Sequence, residues 1–383
     1  MIQESIHIQN IGALKDVSIP NIRPLTILIG DSASGKSTLM KIIALMRYIY
    51  KRVNIRAYLK NSNIDDTVFK IRFNDYLRDG MRDLMSRESS IVYIVEINGH
   101  TYTISYKQGK LTVPNSIPNQ DLIYEKESWI SEMRNVLPAW VSKGSLMKGT
   151  SLGYYFDETL KDFNEATDII KNVNLEYLKL KLDIIKGGNN QKKYILTPDN
   201  NSYAPFELKY ASSGTLSTAP LITVLKYFTS EYSFKESMRR SIINLLFDKN
   251  LTEKYQPTVE LTNLPKYVHL HIEEPELSLD PRSQRKLINE MMRYLFHSEV
   301  DWEVGTVLAT HSPYILNQFN LLIKASYSKE GQKKLPYVLP EKIAAFKLAE
   351  GKMYNLMAED EDSRQTVINT FDLSETMEAS PII

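Results

Sequence analysis

The octapeptide GDSASGKS, residues 30 to 37, constrains the fold of this chain more than any other feature. It follows PLTILIG (24 to 30), a compact apolar run rich in β-branched residues, which predicts a strand buried on both faces. From Thr38 to about Tyr50, TLMKIIALMRYIY carries apolar residues at helical spacing. A buried strand that enters a helix through a glycine loop is a βα unit of a parallel sheet. Gly30 and Gly35 let the backbone N–H groups of Asp31, Ser32, Ala33 and Ser34 wrap phosphate oxygens, and the helix N-terminus adds a favourable dipole. In the pattern G-x-x-x-x-G-K-[ST], Lys36 is expected to reach the β- and γ-phosphates and the Ser37 hydroxyl to ligate Mg²⁺, with Thr38 opening the helix beside it. The plainer alternative is a simple glycine turn.

The rest of the chain is compatible with a large α/β protein. With 383 residues, 43% of them hydrophobic, it can bury a sizeable core. Lys and Arg number 47 against 46 Asp and Glu, so net charge points to no nucleic-acid or membrane partner. The absence of cysteine excludes disulfides and thiolate metal sites. No export signal and no apolar segment long enough to cross a bilayer are apparent, so a cytoplasmic protein is expected. Residues 5 to 20, around a glycine, and 91 to 113 alternate as antiparallel hairpins, the second with Asn-Gly at its turn. YEKESWISEMRNVL and TLKDFNEATDIIKNVNLEYLKLKLDIIK, within residues 120 to 188, are expected to be helices. Apolar strands and helices then alternate from residue 205 onward.

One of those strands, LHIEEPELSLDP (270 to 281), ends in Glu273 and Glu274. Carboxylates seldom occupy the tip of a buried strand without a cation or reacting group to face. A phosphate-binding loop needs such a carboxylate to hold the magnesium shell, and hydrolysis gains from a second beside the attacking water. A pair of surface glutamates in a turn is the bland alternative. In TVLATHSPYIL, His311 ends the next apolar strand, where it would contact a γ-phosphate or serve structure alone. YASSGTLS (210 to 217) offers hydroxyls and N–H groups on a glycine turn before a helix, either a phosphate nest or a plain helix cap.

In this order, phosphate loop, SSGT, IEEPELSLDP and THS, the chain resembles the ABC-type ATPase superfamily. The likeness is closest to the cytosolic branch of RecF-like and SMC-like proteins and the ATPase half of OLD (overcoming lysogenization defect) nucleases. It covers about residues 1 to 55 and 205 to 355. The resemblance implies ATP and Mg²⁺ as cofactors, with ATP held by residues 30 to 38. It implies Glu273 as magnesium carboxylate, Glu274 as catalytic base, His311 as the switch and Asp280 in a dimer-contact loop. Ser213 and Gly214 would dock on the γ-phosphate held by the other subunit of an ATP-sandwich homodimer. The chain departs from the family in having Glu273 where Asp is commoner and SSGT where LSGGQ is typical. No glutamine loop stands out; Gln108 is the candidate, with a surface hairpin as its other reading.

The expected fold class is therefore α/β, a P-loop NTPase of ABC-ATPase type with a mixed sheet. The expected layout is a core over 1–60 and 205–355, an antiparallel β subdomain over 65–115, a helical insertion over 120–190 and a C-terminal tail over 356–383. KIAAFKLAEGKMYNL is expected to be a hairpin and AEDEDS a solvated loop, with too little chain after Gly351 for the TOPRIM nuclease domain of OLD proteins. In the insertion, Trp129, Trp140, Tyr154 and Tyr155 would either face a partner or close a small core, and a removable lobe is expected there. By resemblance, such a chain is an ATP-driven switch for a separate effector, a nuclease or toxin, in anti-phage defence. The alternatives are a DNA-binding repair or recombination ATPase and, further off, a transporter's nucleotide-binding subunit.

Overall fold

In the computed structural model, residues 2–64, 69–142, 149–187, 192–200, 202–248, 250–257 and 259–370 are described. Strands β1 (Gln3–Ile11) and β2 (Leu14–Ile19) form the opening hairpin, and the alternate residues Glu4, Ile6 and Ile8 are buried, with Ile11 buried beyond a bulge. All five residues of β3 (Leu25–Ile29) are buried. Helix α1 (Lys36–Asn61) leaves the glycine loop and runs well beyond Tyr50. β4 (Met85–Ile97), β5 (His100–Lys107) and β6 (Lys110–Thr112) form a meander that pairs through β4 with β1.

After β7 (Tyr124–Ile130) come α2 (Leu137–Ser142) and α3 (Tyr154–Ile169). β8 (Asn172–Leu175), β9 (Leu180–Lys186), β10 (Lys192–Pro198) and β11 (Phe206–Glu207) form a separate antiparallel sheet. The chain then alternates through α4 (Ser213–Lys226), α5 (Phe234–Asp248), β12 (Lys266–Glu273), α6 (Pro281–Phe296), β13 (Glu303–Thr310), α7 (Pro313–Ser326) and α8 (Lys329–Lys334). It ends with the hairpin β14 (Ile343–Ala349) and β15 (Lys352–Asn355) and the small pair β16 (Met357–Glu359) and β17 (Thr366–Ile368).

The main sheet has the order β6-β5-β4-β1-β2-β15-β14-β3-β13-β12-β7. Its half from β14 to β7 is parallel, and its other half is antiparallel apart from the rung Asp16 to Lys352 between β2 and β15. This mixed α/β architecture agrees with the expected fold class. The parallel half places the carboxyl ends of β3, β13, β12 and β7 along one edge, the position at which open α/β sheets bind ligands. Among the described residues no helix is long and apolar enough to cross a membrane.

The helical reading of residues 120–190 needs correction. YEKESWI is a parallel strand on β12, and the stretch after Ile169 is β8 and β9. YEKESWI carries three charges, yet it is buried, and Glu125 and Lys126 meet partners inside. Lys126 Nζ donates to Asp162 at 2.7 Å, and Glu125 lies 3.1 Å from His269. Tertiary pairing overrides local polarity there. In LKLDIIK the buried residues Leu180, Leu182 and Ile184 have the period of a strand. The tail also begins with structure: Asn320 on α7 holds both the N–H and the carbonyl of Ile368 on β17. Residues 371–383 lie outside the described residues.

Candidate functional site

The loop after β3 is bent by glycines at both of its ends. Gly35 has φ +100°, and a Cβ there would lie 2.6 Å from Leu14; a Cβ on Gly30 would lie 2.4 Å from the carbonyl oxygen of Leu348. Both positions therefore demand glycine. Ala33 also adopts positive φ, 62°, which bends the loop back towards Ser34. Lys36 starts α1 and is buried, its Nζ donating to the carbonyls of Gly30 and Asp31 at 2.7 and 2.8 Å. Burial lowers its pKa from the ordinary lysine range, opposed by the nearby Glu274.

One cavity gathers the expected groups. Its lining includes Ser32, Ala33, Gly35, Lys36, Ser37 and Thr38 of the loop. Glu273 and Glu274 enter it from the end of β12 and His311 from the end of β13. Gly30, Asp31 and Ser34 complete the loop from behind, and the buried Ser34 Oγ has no hydrogen-bond partner among the described residues. Across the cavity, Ala13 and Leu84 come from the antiparallel half.

The two glutamates differ because the chain turns between them. Glu273 continues the strand and is buried; its carboxyl accepts from Trp129 Nε1 at 3.1 Å and hydrogen-bonds Ser37 and Glu132. Burial, and then the Glu132 carboxyl, push its pKa up to about 8. Glu132 is held below its ordinary range, first by its hydrogen bond with Glu273. Glu274 has φ +41°, an uncommon conformation for a side-chain-bearing residue, and is partly exposed in the cavity. His311 Nε2 lies 3.7 Å from Glu274 Oε1. The third glutamate, Glu276, accepts from Thr310 Oγ1 and from the His311 N–H, both at 2.7 Å, and so fixes the end of β13.

Sequence reasoning missed three residues here, all carried by β7 and the turn after it. Trp129 and Glu132 touch Glu273. Arg134 is fully buried and donates to four main-chain carbonyls: Ser131, Ser217, Glu273 and Glu274 at 3.1, 3.1, 2.7 and 2.6 Å. Their signal was present in a buried charged strand, but only pairing with β12 reveals it. Trp129 therefore faces the site, Tyr155 packs on its ring at 4.3 Å and Trp140 packs on Phe156 at 5.3 Å. Of the four aromatics expected to face a partner or close a core, Tyr154 alone is exposed.

Other expected residues lie elsewhere. Ser213 is exposed at the start of α4, outside the cavity lining, while Gly214 is buried against Ser278 and Leu279. Ser212 caps that helix through Thr215. Asp280 caps α6, accepting from the N–H groups of Arg282 and Ser283 at 2.9 and 3.3 Å. Gln108 sits at the β5–β6 turn with φ 51° and is a hairpin residue, away from the cavity.

The oxygen donors Ser37 and Glu273, with Glu132 beside them, suit a hard cation such as Mg²⁺ completed by phosphate oxygens. Among the described residues, no three His, Asp or Glu groups surround a single metal position, so protein ligands alone do not make this a metal centre.

Among solved structures, the SMC head domain from Thermotoga maritima is similar at 10% identity and TM-score 0.40, covering 94% of this chain and 100% of that one. An SMC head bound to the C-terminal winged-helix domain of ScpA gives 10% identity and TM-score 0.37, over 92% and 97%. The recombination mediator RecF of the RecFOR pathway gives 13% identity and TM-score 0.36, over 93% and 98%. No curated protein matches the sequence. The family described as "AAA domain, putative AbiEii toxin, Type IV TA system" matches residues 25–317, a span that takes in the glycine loop, Glu273, Glu274 and His311, and the chain belongs to that family.

Proposed function

We propose that this protein binds ATP with Mg²⁺ at the glycine loop and hydrolyses it. The observation that carries the reading is the convergence of Lys36, Ser37, Glu273, Glu274 and His311 on one cavity at the carboxyl edge of the parallel strands. Gly30 to Ser34 would cradle the phosphates through main-chain N–H groups, with Gly35 turning the chain into α1. Lys36 would exchange its two carbonyl partners for phosphate oxygens. Ser37 and Glu273 would hold Mg²⁺, which when bound neutralises phosphate charge. Glu274, exposed in the cavity beside His311, is the carboxylate free to take a proton from water, and His311 is placed to contact the γ-phosphate.

The exposed Ser213 and the N–H groups that open α4 lie outside this cavity. That arrangement suits a γ-phosphate held by a second copy, in a head-to-tail ATP sandwich. The cell-level role that fits is a cytoplasmic switch controlling a separate effector, a nuclease or toxin, in defence against phage. What supports a defence setting is the family description, which names a putative toxin of a type IV toxin–antitoxin system. Equilibrium binding of a fluorescent ATP analogue, followed by phosphate-release measurements with Mg²⁺, tests the central claim; no saturable binding would remove it.

A further inference from the structure

Beside the nucleotide cavity, behind Trp129, lies a second, partly open cavity of about 80 Å³ between α1, β7 and α3. Trp129, Tyr48, Tyr76 and Tyr155 wall it with aromatic rings. On its floor are Glu127, both of whose carboxyl oxygens lack hydrogen-bond partners among the described residues, and His271, both of whose ring nitrogens lack them. His271 is 1% exposed and its ring stacks on Trp129 at 5.5 Å; its Nδ1 stands 3.6 Å from Glu127. Buried polar groups left unpaired are costly, and native proteins retain few of them. Four such atoms converge on one aromatic chamber here.

The mouth is also built. Asp79, in the turn after Tyr76, accepts from the N–H groups of Tyr154 and Tyr155 at 2.9 and 3.2 Å, pinning that turn to the start of α3. The ring faces already attract this chain's own cations at the rim: Lys41 lies 4.8 Å over Tyr155 and Arg78 5.3 Å over Tyr154.

We propose that this chamber binds a small organic cation, an alkylammonium or quaternary ammonium group, between the aromatic walls and the Glu127 carboxylate. Aromatic faces and a carboxylate together recognise a weakly hydrated cation, which an apolar ligand would not need and an anion would not tolerate. Burial pushes Glu127 up to about 8, and a cation bound beside it favours the ionised carboxylate, whose proton leaves to solvent. Because Trp129 forms one wall and also donates to Glu273, occupancy would adjust the Glu273 carboxyl. That regulatory step rests on the nucleotide reading above; the binding itself does not.

The test is calorimetric titration of the nucleotide-free protein with tetramethylammonium chloride and with butylammonium chloride, against sodium chloride. Saturable binding of one of the organic cations is expected, weakened at least tenfold in Glu127→Gln and kept in Lys36→Ala. Should Glu127→Gln fail to fold, Tyr76→Leu at the mouth is expected to weaken binding several-fold without touching the buried groups. No saturation beyond sodium chloride, or equal affinity in these chamber variants, overturns the proposal. Absence of ATP binding in the unaltered protein, with cation binding retained, would count against the nucleotide reading alone.

Discussion

Arg134 donates to the main-chain carbonyls of both Glu273 and Glu274, at 2.7 and 2.6 Å, and its Nε reaches Ser217 on α4. One guanidinium therefore ties the strand-end carboxylates to the helix that begins at Ser213. Burial lowers its pKa to about 10, which still leaves it charged at neutral pH. Lysine, a point donor, cannot reproduce this fork. Arg134→Lys is expected to keep ATP affinity within a few-fold but slow turnover by roughly 10²-fold, the usual scale for a misplaced reacting group. Single-turnover phosphate release beside equilibrium binding measures both; an equal loss in the two would make Arg134 a folding residue only.

Glu274→Gln is expected to leave nucleotide held by Lys36, Ser37 and Glu273 while removing the base. Hydrolysis should fall by about two to four orders of magnitude. The ATP-bound dimer should then accumulate, since binding energy shared across two subunits favours assembly by mass action. Light scattering with and without Mg-ATP reads the outcome, and an unchanged monomeric mass would sink the sandwich.

Lys36→Ala removes an ammonium whose two partners are carbonyls of its own loop, not core groups. The fold should survive, by circular dichroism and thermal melting. ATP affinity should drop roughly 10- to 100-fold, the range of a lost charge-assisted hydrogen bond. Undiminished affinity would remove the loop from the site.

A pH dependence follows from Glu273, whose carboxyl is neutral below about 8 when no cation faces it. Magnesium binds the carboxylate only, so binding must expel the proton. Apparent Mg-ATP affinity should therefore rise with pH up to about 8, at most tenfold per unit, and then level off. Calorimetry at pH 7 in buffers of different ionisation enthalpy should show proton release, and Glu273→Gln should abolish it.

Stability offers a separate check. Arg47 and Glu4 form a buried bidentate pair at 2.9 and 2.6 Å, with Tyr93 donating to the same carboxylate. Glu4→Gln leaves the guanidinium uncompensated and should cost about 3–5 kcal/mol, read by urea melts. A change below about 1 kcal/mol would show that the pair is solvated in solution.

How much of this was legible in the sequence depended on contiguity. The glycine loop is one segment between a strand and a helix, so its residues and its setting could both be read. Glu273, Glu274 and His311 were visible because each follows an apolar run that stops at it. Glu132 and Arg134 were not, because their meaning comes from β7 lying beside β12, a pairing between segments far apart in the chain. Glu125 and Glu127 concealed that pairing, since two glutamates beside a lysine resemble a helix surface until His269 and His271 are placed opposite them.

The parallel pairing of β7 with β12 bears on how this chain can be cut and recombined. A lobe spanning residues 120–188 was expected to be removable, but its first strand covers the edge of β12 and carries Trp129, with Glu132 and Arg134 in the turn that follows. Excision from residue 120 would bare a sheet edge and take half the surroundings of Glu273 with it. The exchangeable part begins later. A chimaera that keeps Tyr124 to Arg134 from one parent and grafts the α3 and β8–β11 region from another preserves the shell around Glu273, whereas one joined before Tyr124 brings in a foreign strand that must match β12 residue for residue.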